Sequence, residues 1–151
     1  EKAIYESCKI KKAVVEKDEK EKGLRKILNF GHSFAHAYEA TLGFSKILNH
    51  GEAVILGMKT ALNYSLKKKF MSKREYYSII DHIDNSDLPS SVSKFFSPKD
   101  TNKILTFMAK DKKNRSNKIN LVLLKKIGAP IINKEYSKKK IGLFLKIFLR
   151  N

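Results

Sequence analysis

The chain has a single cysteine, Cys8, among its 151 residues, so no internal disulfide can staple it, and a protein made for an oxidising compartment would more usually carry an even set. A cytoplasmic setting is expected. It also lacks any run approaching the roughly 18 to 20 apolar residues a bilayer helix needs, because lysine interrupts every candidate, Ile141 to Leu149 included. No membrane association is expected. Acidic residues are scarce, 15 against 32 lysines and arginines, which leaves a formal charge of +17. An excess of that size would release counterions from a phosphate backbone and bind it at low salt. Yet arginine, the residue that grips phosphates and base edges bidentately, occurs only as Arg25, Arg74, Arg115 and Arg150. The lysines instead fall on nearly every predicted solvent face, as at Lys67 to Lys69 and Lys138 to Lys140, which is how a solvated surface is built. No nucleic acid is expected as a partner. The N-terminus has no pattern of basic start, apolar run and small-residue cleavage site, and Glu1 is not Met, so the chain is expected to begin inside an element of something longer.

What is present is enough hydrophobic residue, 42%, to bury a core over one domain. The punctuation predicts a mainly α protein. Ile4, Cys8, Lys11 and Val15 recur at helical spacing in a first helix that fades in the charged run Glu16 to Lys22. Gly23 separates it from a second, about Leu24 to Leu42, stopped at Gly43. A third helix is expected from near Gly51 to about Lys69, and its stretch Ala53 to Met58 is apolar all round, which predicts the centre of the core. Ser72 with Glu75 reads as a capping box for a fourth helix to about Ile83. Asn85, Ser86, Pro89 and Ser90 form a loop, after which Ser97, Pro98 and Asp100 open a fifth helix ending near Lys110. Strands are expected only at Ile119 to Leu124 and Ala129 to Ile132, one small β-hairpin around Lys125 to Gly128, with a final helix after Ser137. There is no internal repeat and no low-complexity linker.

The chemistry concentrates between Arg25 and Val54. Measured around the second helix from Arg25, Asn29 falls about 40° away, His32 about −20°, His36 about 20° and Glu39 about −40°, at roughly 100° per residue. Leu24, Ile27, Phe30, Phe34 and Tyr38 take the rest of the circumference. A narrow polar line on an otherwise apolar helix costs desolvation unless those groups meet partners. Two histidines at i, i+4 alone are most simply the solvent side of an amphipathic helix, but a third changes the reading. His50 opens the next helix, and the intervening loop can reach back about 23 Å against the roughly 15 Å that the helix climbs after His32. His32 and His50 can therefore share one divalent cation, zinc by default, and a helix N-terminus favours the neutral imidazole a metal requires. The third ligand within the chain could be His36, Glu52 or Glu39, and the pattern does not choose.

These residues compose a longer pattern. Arg25, Leu28, Asn29, Gly31, His32, His36, Ala37 and Glu39, then His50, Gly51, Glu52, Ala53, Gly57 and Met58, resemble the 3-dehydroquinate synthase family. Its hallmark is LN-x-GH-[ST]-x-GHA-x-E followed by HGEAV-x-x-GM and preceded by DE-x-E-x-GLR, where Asp18, Glu19, Glu21, Gly23, Leu24 and Arg25 stand here. Ser33 replaces the commoner Thr, and Ala35 stands where the family usually has Gly. The resemblance runs to the Asp111, Lys112, Lys113 triplet, so the whole chain corresponds to the family's C-terminal half, its helical metal- and substrate-binding domain in the dehydroquinate synthase-like fold.

The resemblance implies a lyase of aromatic amino acid biosynthesis, converting the seven-carbon sugar acid phosphate DAHP to 3-dehydroquinate with release of phosphate, in the shikimate pathway that leads to chorismate. It uses NAD and a divalent metal, Zn2+ or Co2+. It implies that His32 and His50 ligate the metal, with a third ligand, a Glu, absent from this chain. His36 and Glu21 match acid/base positions, and Lys11, Arg25, Asn29 and one of Lys112 and Lys113 match substrate contacts, as a carboxylate-and-phosphate cargo requires. No glycine-rich phosphate loop follows a strand here, so NAD is expected to be bound mainly by an N-terminal α/β domain absent from this chain, and residues 1 to 151 alone are expected to be inactive. A homodimer is implied. Two rivals remain: another sugar phosphate cyclase or a metal-dependent polyol dehydrogenase of the same superfamily, and a basic helical nucleic-acid-binding module without catalysis.

Overall fold

The computed structural model describes residues 1–89, 91–110 and 117–150. Among the described residues there are six α-helices and one hairpin, with short 3₁₀ segments between them: α1 (Lys2–Lys17), α2 (His32–Thr41), α3 (His50–Lys67), α4 (Lys73–Asp84), α5 (Thr101–Lys110), β1 (Lys118–Lys126), β2 (Ala129–Ser137) and α6 (Lys138–Phe148). The mainly α architecture with its single hairpin agrees with the sequence pattern. Lys112 and Lys113 lie outside the described residues.

The expected second helix is not continuous. Residues Leu24–Asn29 form a tight 3₁₀ segment, and only from His32 does an α-helix begin. Gly31 makes the break, with φ +82°, a left-handed conformation that a side chain opposes. Packing holds it there. A Cβ on Gly31 would meet the backbone nitrogen of Met58 at 2.6 Å, and one on Gly57 would meet the Gly31 carbonyl oxygen at 2.2 Å. The start of α2 therefore sits directly on the backbone of α3, and the helical period counted from Arg25 holds only for His32, His36 and Glu39. Ala35, wholly buried, contributes to the same contact: its nitrogen would lie 3.0 Å from a Cβ on Gly57.

Around this helix pair the core assembles from Phe34, Tyr38, Leu56 and Tyr64, with Ile104 and Met108 of α5 and Ile141, Phe144 and Leu145 of α6. Ala53 and Leu56 are fully buried as expected, but Val54, Ile55 and Met58 are only half-buried. Tyr38 stacks on Phe96, centroids 4.7 Å apart, and its hydroxyl lies 2.8 Å from Thr60 Oγ1, which itself donates to the Leu56 carbonyl at 2.8 Å. Burial pushes the Tyr38 hydroxyl far above the ordinary tyrosine range, so it stays a neutral donor. Tyr38→Phe keeps the stacked ring and removes one bond; chemical denaturation should report a loss of about 1 kcal/mol, and a neutral result would show that the hydroxyl is not paired in solution.

The hairpin is longer than its β-branched runs suggested. β1 alternates, burying Ile119, Leu121 and Leu123 while Asn120, Val122 and Leu124 stay half-buried, as one face of a strand on a core requires. The antiparallel register pairs Asn120 with Glu135 and Leu124 with Pro130, and it shifts between Leu121 and Leu123. There Asn133 takes φ +57°, the mark of a bulge that re-aims a side chain. The Ser72 cap forms only in part: Ser72 Oγ accepts from the Glu75 nitrogen at 3.2 Å, while the Glu75 carboxylate accepts from the Ile127 nitrogen in the hairpin turn. No described helix is long and apolar enough to cross a membrane. α1 buries none of its residues, and Ile4, Tyr5 and Ile10 on it are exposed.

Candidate metal centre

Three imidazoles converge where α2 and α3 both begin. His32 is the first residue of α2 and His36 follows one turn later on the same face. His50 is the first residue of α3, brought there because Asn49 caps that helix and Glu52 reaches back to accept from the Asn49 nitrogen at 2.8 Å. Ring centroids lie 5.6 Å apart for His32 and His36, 5.8 Å for His32 and His50, and 5.9 Å for His36 and His50. A cation with ligand bonds of about 2.0 to 2.1 Å can be reached by rings that close.

Each of the two outer imidazoles has its Nδ1 occupied. His32 Nδ1 lies 3.3 Å from the Phe30 carbonyl oxygen. His50 Nδ1 lies 3.1 Å from both carboxylate oxygens of Glu39. Both contacts leave Nε2 as the nitrogen available to a metal. His32 is held below the ordinary histidine range, first by desolvation and then by the neighbouring His36 and His50, with the Phe30 carbonyl opposing. A neutral ring is the form that ligates. The donor set fits a divalent ion of zinc or cobalt type: borderline nitrogens, a carboxylate nearby, and donor atoms of His36, Glu39 and His50 all within 4.8 Å of one another.

Beside the histidines opens a cavity of about 240 Å³, lined by Lys26, Asn29, His32, Ser33 and His36 on one side and by Asn120, Leu121, Val122 and Asn133 of the hairpin on the other. Its walls are tied together. Ser33 Oγ donates to the Asn120 carbonyl at 3.2 Å, and Lys26 Nζ donates to Asn133 Oδ1. Asn29 Nδ2 donates to Glu21 Oε1 at 2.6 Å, and Glu21 itself adopts φ +52°, a conformation that non-glycine residues seldom take. The segment between α1 and the 3₁₀ segment is organised by Asp18, whose carboxylate accepts from the nitrogens of Lys22, Gly23 and Arg25 at 2.8 to 2.9 Å. Those three donors, Arg25 first, lower its pKa.

Of the residues singled out in the sequence, His32, His36 and Asn29 line the cavity, His50 stands against the two histidines, and Glu21 reaches the site through Asn29. Arg25 and Lys11 are not among the lining residues: the Arg25 guanidinium donates to the Glu19 carbonyl oxygen at 2.7 Å, and Lys11 is exposed on α1. Among the three candidates for a further ligand, Glu52 is taken by its cap, while His36 and Glu39 remain beside His50. The pattern missed Lys26, Asn120 and Asn133. Lys26 was indistinguishable from the other lysines, and the two asparagines enter only through the fold of the hairpin.

The model of the 3-dehydroquinate synthase C-terminal family matches residues 1–114. The chain is 58% identical over 144 residues to the 3-dehydroquinate synthase of Pelagibacter ubique, covering 95% of this chain and 39% of that protein. It is 36% identical over 151 residues to that of Bradyrhizobium diazoefficiens, covering 97% and 40%. Among solved structures, a Streptomyces hygroscopicus 2-epi-5-epi-valiolone synthase with NAD+ and Zn2+ bound superposes with a TM-score of 0.72 at 21% identity, over 91% of this chain and 37% of that one. A 2-deoxy-scyllo-inosose synthase complexed with carbaglucose-6-phosphate, NAD+ and Co2+ gives 0.66 at 22%, over 85% and 35%. The chain thus spans about two fifths of the curated relatives it matches, and it shares the fold of both cyclases.

Proposed function

Because this chain belongs to the 3-dehydroquinate synthase family, as its C-terminal domain, we propose that it forms the metal-holding and substrate-facing wall of an enzyme that converts DAHP to 3-dehydroquinate with release of phosphate. The observation that carries this is the convergence of His32, His36 and His50, the first two of which line a cavity together with Lys26, Asn29 and Ser33. The 58% identity to a protein of that name, against 21 to 22% to the other cyclases, favours DAHP over their substrates.

In this reading His32 and His50 hold the metal through Nε2, and an upstream carboxylate completes the set. The ion would supply Lewis-acid polarisation of two adjacent substrate hydroxyls, and NAD, bound mainly by an N-terminal domain, would take and return a hydride. His36, one turn above His32 and exposed to the cavity, exchanges a proton with the substrate through an imidazole nitrogen. Glu21 fixes the Asn29 amide by accepting from Nδ2, which leaves Asn29 Oδ1 to accept from a substrate hydroxyl and Glu21 as a second proton carrier close by. Lys26 offers its ammonium to an anionic group at the cavity wall, in exchange for Asn133. The family resemblance adds Arg25, Lys11 and one of Lys112 and Lys113 as substrate contacts; here the Arg25 guanidinium donates to the Glu19 carbonyl and Lys11 is exposed on α1. A cytoplasmic homodimer belongs to the same reading.

The full-length protein should release phosphate from DAHP in the presence of NAD and Zn2+ or Co2+, and should leave sedoheptulose 7-phosphate, glucose 6-phosphate and glycerol unchanged. Turnover of any of these three in place of DAHP would assign a different cyclase or a polyol dehydrogenase.

A further inference from the structure

We propose that Glu39 is the positioning residue of the metal centre: its carboxylate holds His50 in the tautomer and orientation that turn Nε2 toward the ion, without ligating the ion itself. The inference rests on the metal-site reading above and adds a residue to it. Both Glu39 oxygens stand 3.1 Å from His50 Nδ1, an ordinary hydrogen-bond length shared over one N–H. The Glu39 side chain is 14% exposed while that of His50 is 58% exposed, so the anchor is the enclosed member of the pair and the ligand the open one. An imidazole carries its two nitrogens on different edges of the ring. With Nδ1 turned to Glu39, Nε2 is the donor left for an ion shared with His32, whose ring lies 5.8 Å away.

Glu39 is seven residues beyond His32 on α2, about 10.5 Å along the axis at 1.5 Å per residue, while His50 touches the Glu39 carboxylate at 3.1 Å and its ring centroid lies 5.8 Å from that of His32. The donor atoms of His36, Glu39 and His50 also lie within 4.8 Å of one another, so direct ligation by Glu39 is the alternative that the Co2+ spectrum decides. The Phe30 carbonyl does for His32 Nδ1 what Glu39 does for His50. Both rings are then set by partners of the fold before the metal arrives. Without Glu39, His50 is an exposed side chain on a helix end, free to rotate and to take either tautomer.

The test is metal binding to the full-length protein, read by competition with a chromophoric chelator for Zn2+ and by the visible absorption of the Co2+ form. Glu39→Ala should weaken metal affinity by about 10- to 100-fold, the usual range for an outer-shell partner, with the position and intensity of the Co2+ bands retained at saturating metal. Glu39→Gln, which keeps an acceptor for the Nδ1 proton, should recover most of that loss. Unchanged affinity in both variants, alongside abolished binding in His50→Ala, would overturn the role of Glu39 while leaving the metal site standing. Altered Co2+ bands in both variants, with no recovery in Glu39→Gln, would make Glu39 a ligand and equally overturn it. Failure of the unsubstituted protein to bind either ion at all would remove the metal-site reading, and this inference with it.

Discussion

Substituting His32 or His50 by alanine in the full-length protein is expected to lower metal-dependent phosphate release from DAHP by about three orders of magnitude or more. A bound cation contributes several kcal/mol of charge stabilisation, and each 1.36 kcal/mol is about a decade in rate. Losing either ring removes one of the two ligands proposed for this chain, from elements that meet only in the folded state: His32 opens α2 and His50 opens α3. Neither substitution should unfold the domain, since His32 is half-buried and His50 exposed. Circular dichroism should therefore be unchanged while bound zinc, measured by elemental analysis, falls below stoichiometric. His36→Ala should behave differently, retaining metal and losing turnover, because its assigned work is proton transfer. Full activity in His32→Ala or His50→Ala, at the metal level of the parent, would dismantle the assignment.

A second large effect is expected at the contact between α2 and α3. Gly57→Ala would drive a methyl to 2.2 Å from the Gly31 carbonyl oxygen and 3.0 Å from the Ala35 nitrogen. These are backbone atoms, so no rotamer change relieves the overlap and the two helices must move apart. Overpacking of a core costs about 1 to 3 kcal/mol and sometimes more; with backbone on the receiving side the loss should sit at about 3 kcal/mol or above. Gly31→Ala adds a left-handed conformation, worth about 1 to 2 kcal/mol for a residue with a Cβ, to a 2.6 Å approach to the Met58 nitrogen. Gly43→Ala is the control. Its φ is +68° but nothing lies within 4 Å of the added methyl, so only the conformational cost of about 1 to 2 kcal/mol remains. Denaturation of the three variants should rank Gly43→Ala as the mildest. Equal stability of Gly57→Ala and the parent would mean that α2 and α3 do not meet as closely as the structure has them. Because His32 follows Gly31 directly, any separation of these helices should also weaken metal binding.

The sequence made much of the helical punctuation readable because its signals are local. Ser97, Pro98 and Asp100 announced a helix start, and the Ser97 and Asp100 side chains do form a reciprocal cap, on a 3₁₀ turn, Pro98–Asp100, that leads directly into α5. Asn49 and Glu52 do the same for α3, although Glu52 first entered as a possible ligand. Periodicity failed at Gly31 for a physical reason. Counting at 100° per residue assumes an unbroken helix, and a glycine inside an apolar run is read as a weakness of the helix, whereas here it is a stop imposed by the backbone of α3 twenty-six residues later in the chain. The polar line from Arg25 through Asn29 therefore does not continue into α2, and Arg25 turns back to Glu19.

The site divides along the same boundary. Residue types and short spacings singled out the three histidines and Asn29 as groups with chemistry, since imidazole and amide on a mostly apolar segment have to find partners, whereas Glu21 entered only through the family resemblance. Their distances, the choice of Nδ1 partners for His32 and His50, the part of Lys26, and the entry of Asn120 and Asn133 from a bulged hairpin were settled by tertiary structure. Those contacts join residues up to 107 positions apart, as Lys26 and Asn133 are, and depend on register and helix approach, which are properties of the packed core rather than of any local stretch of chain.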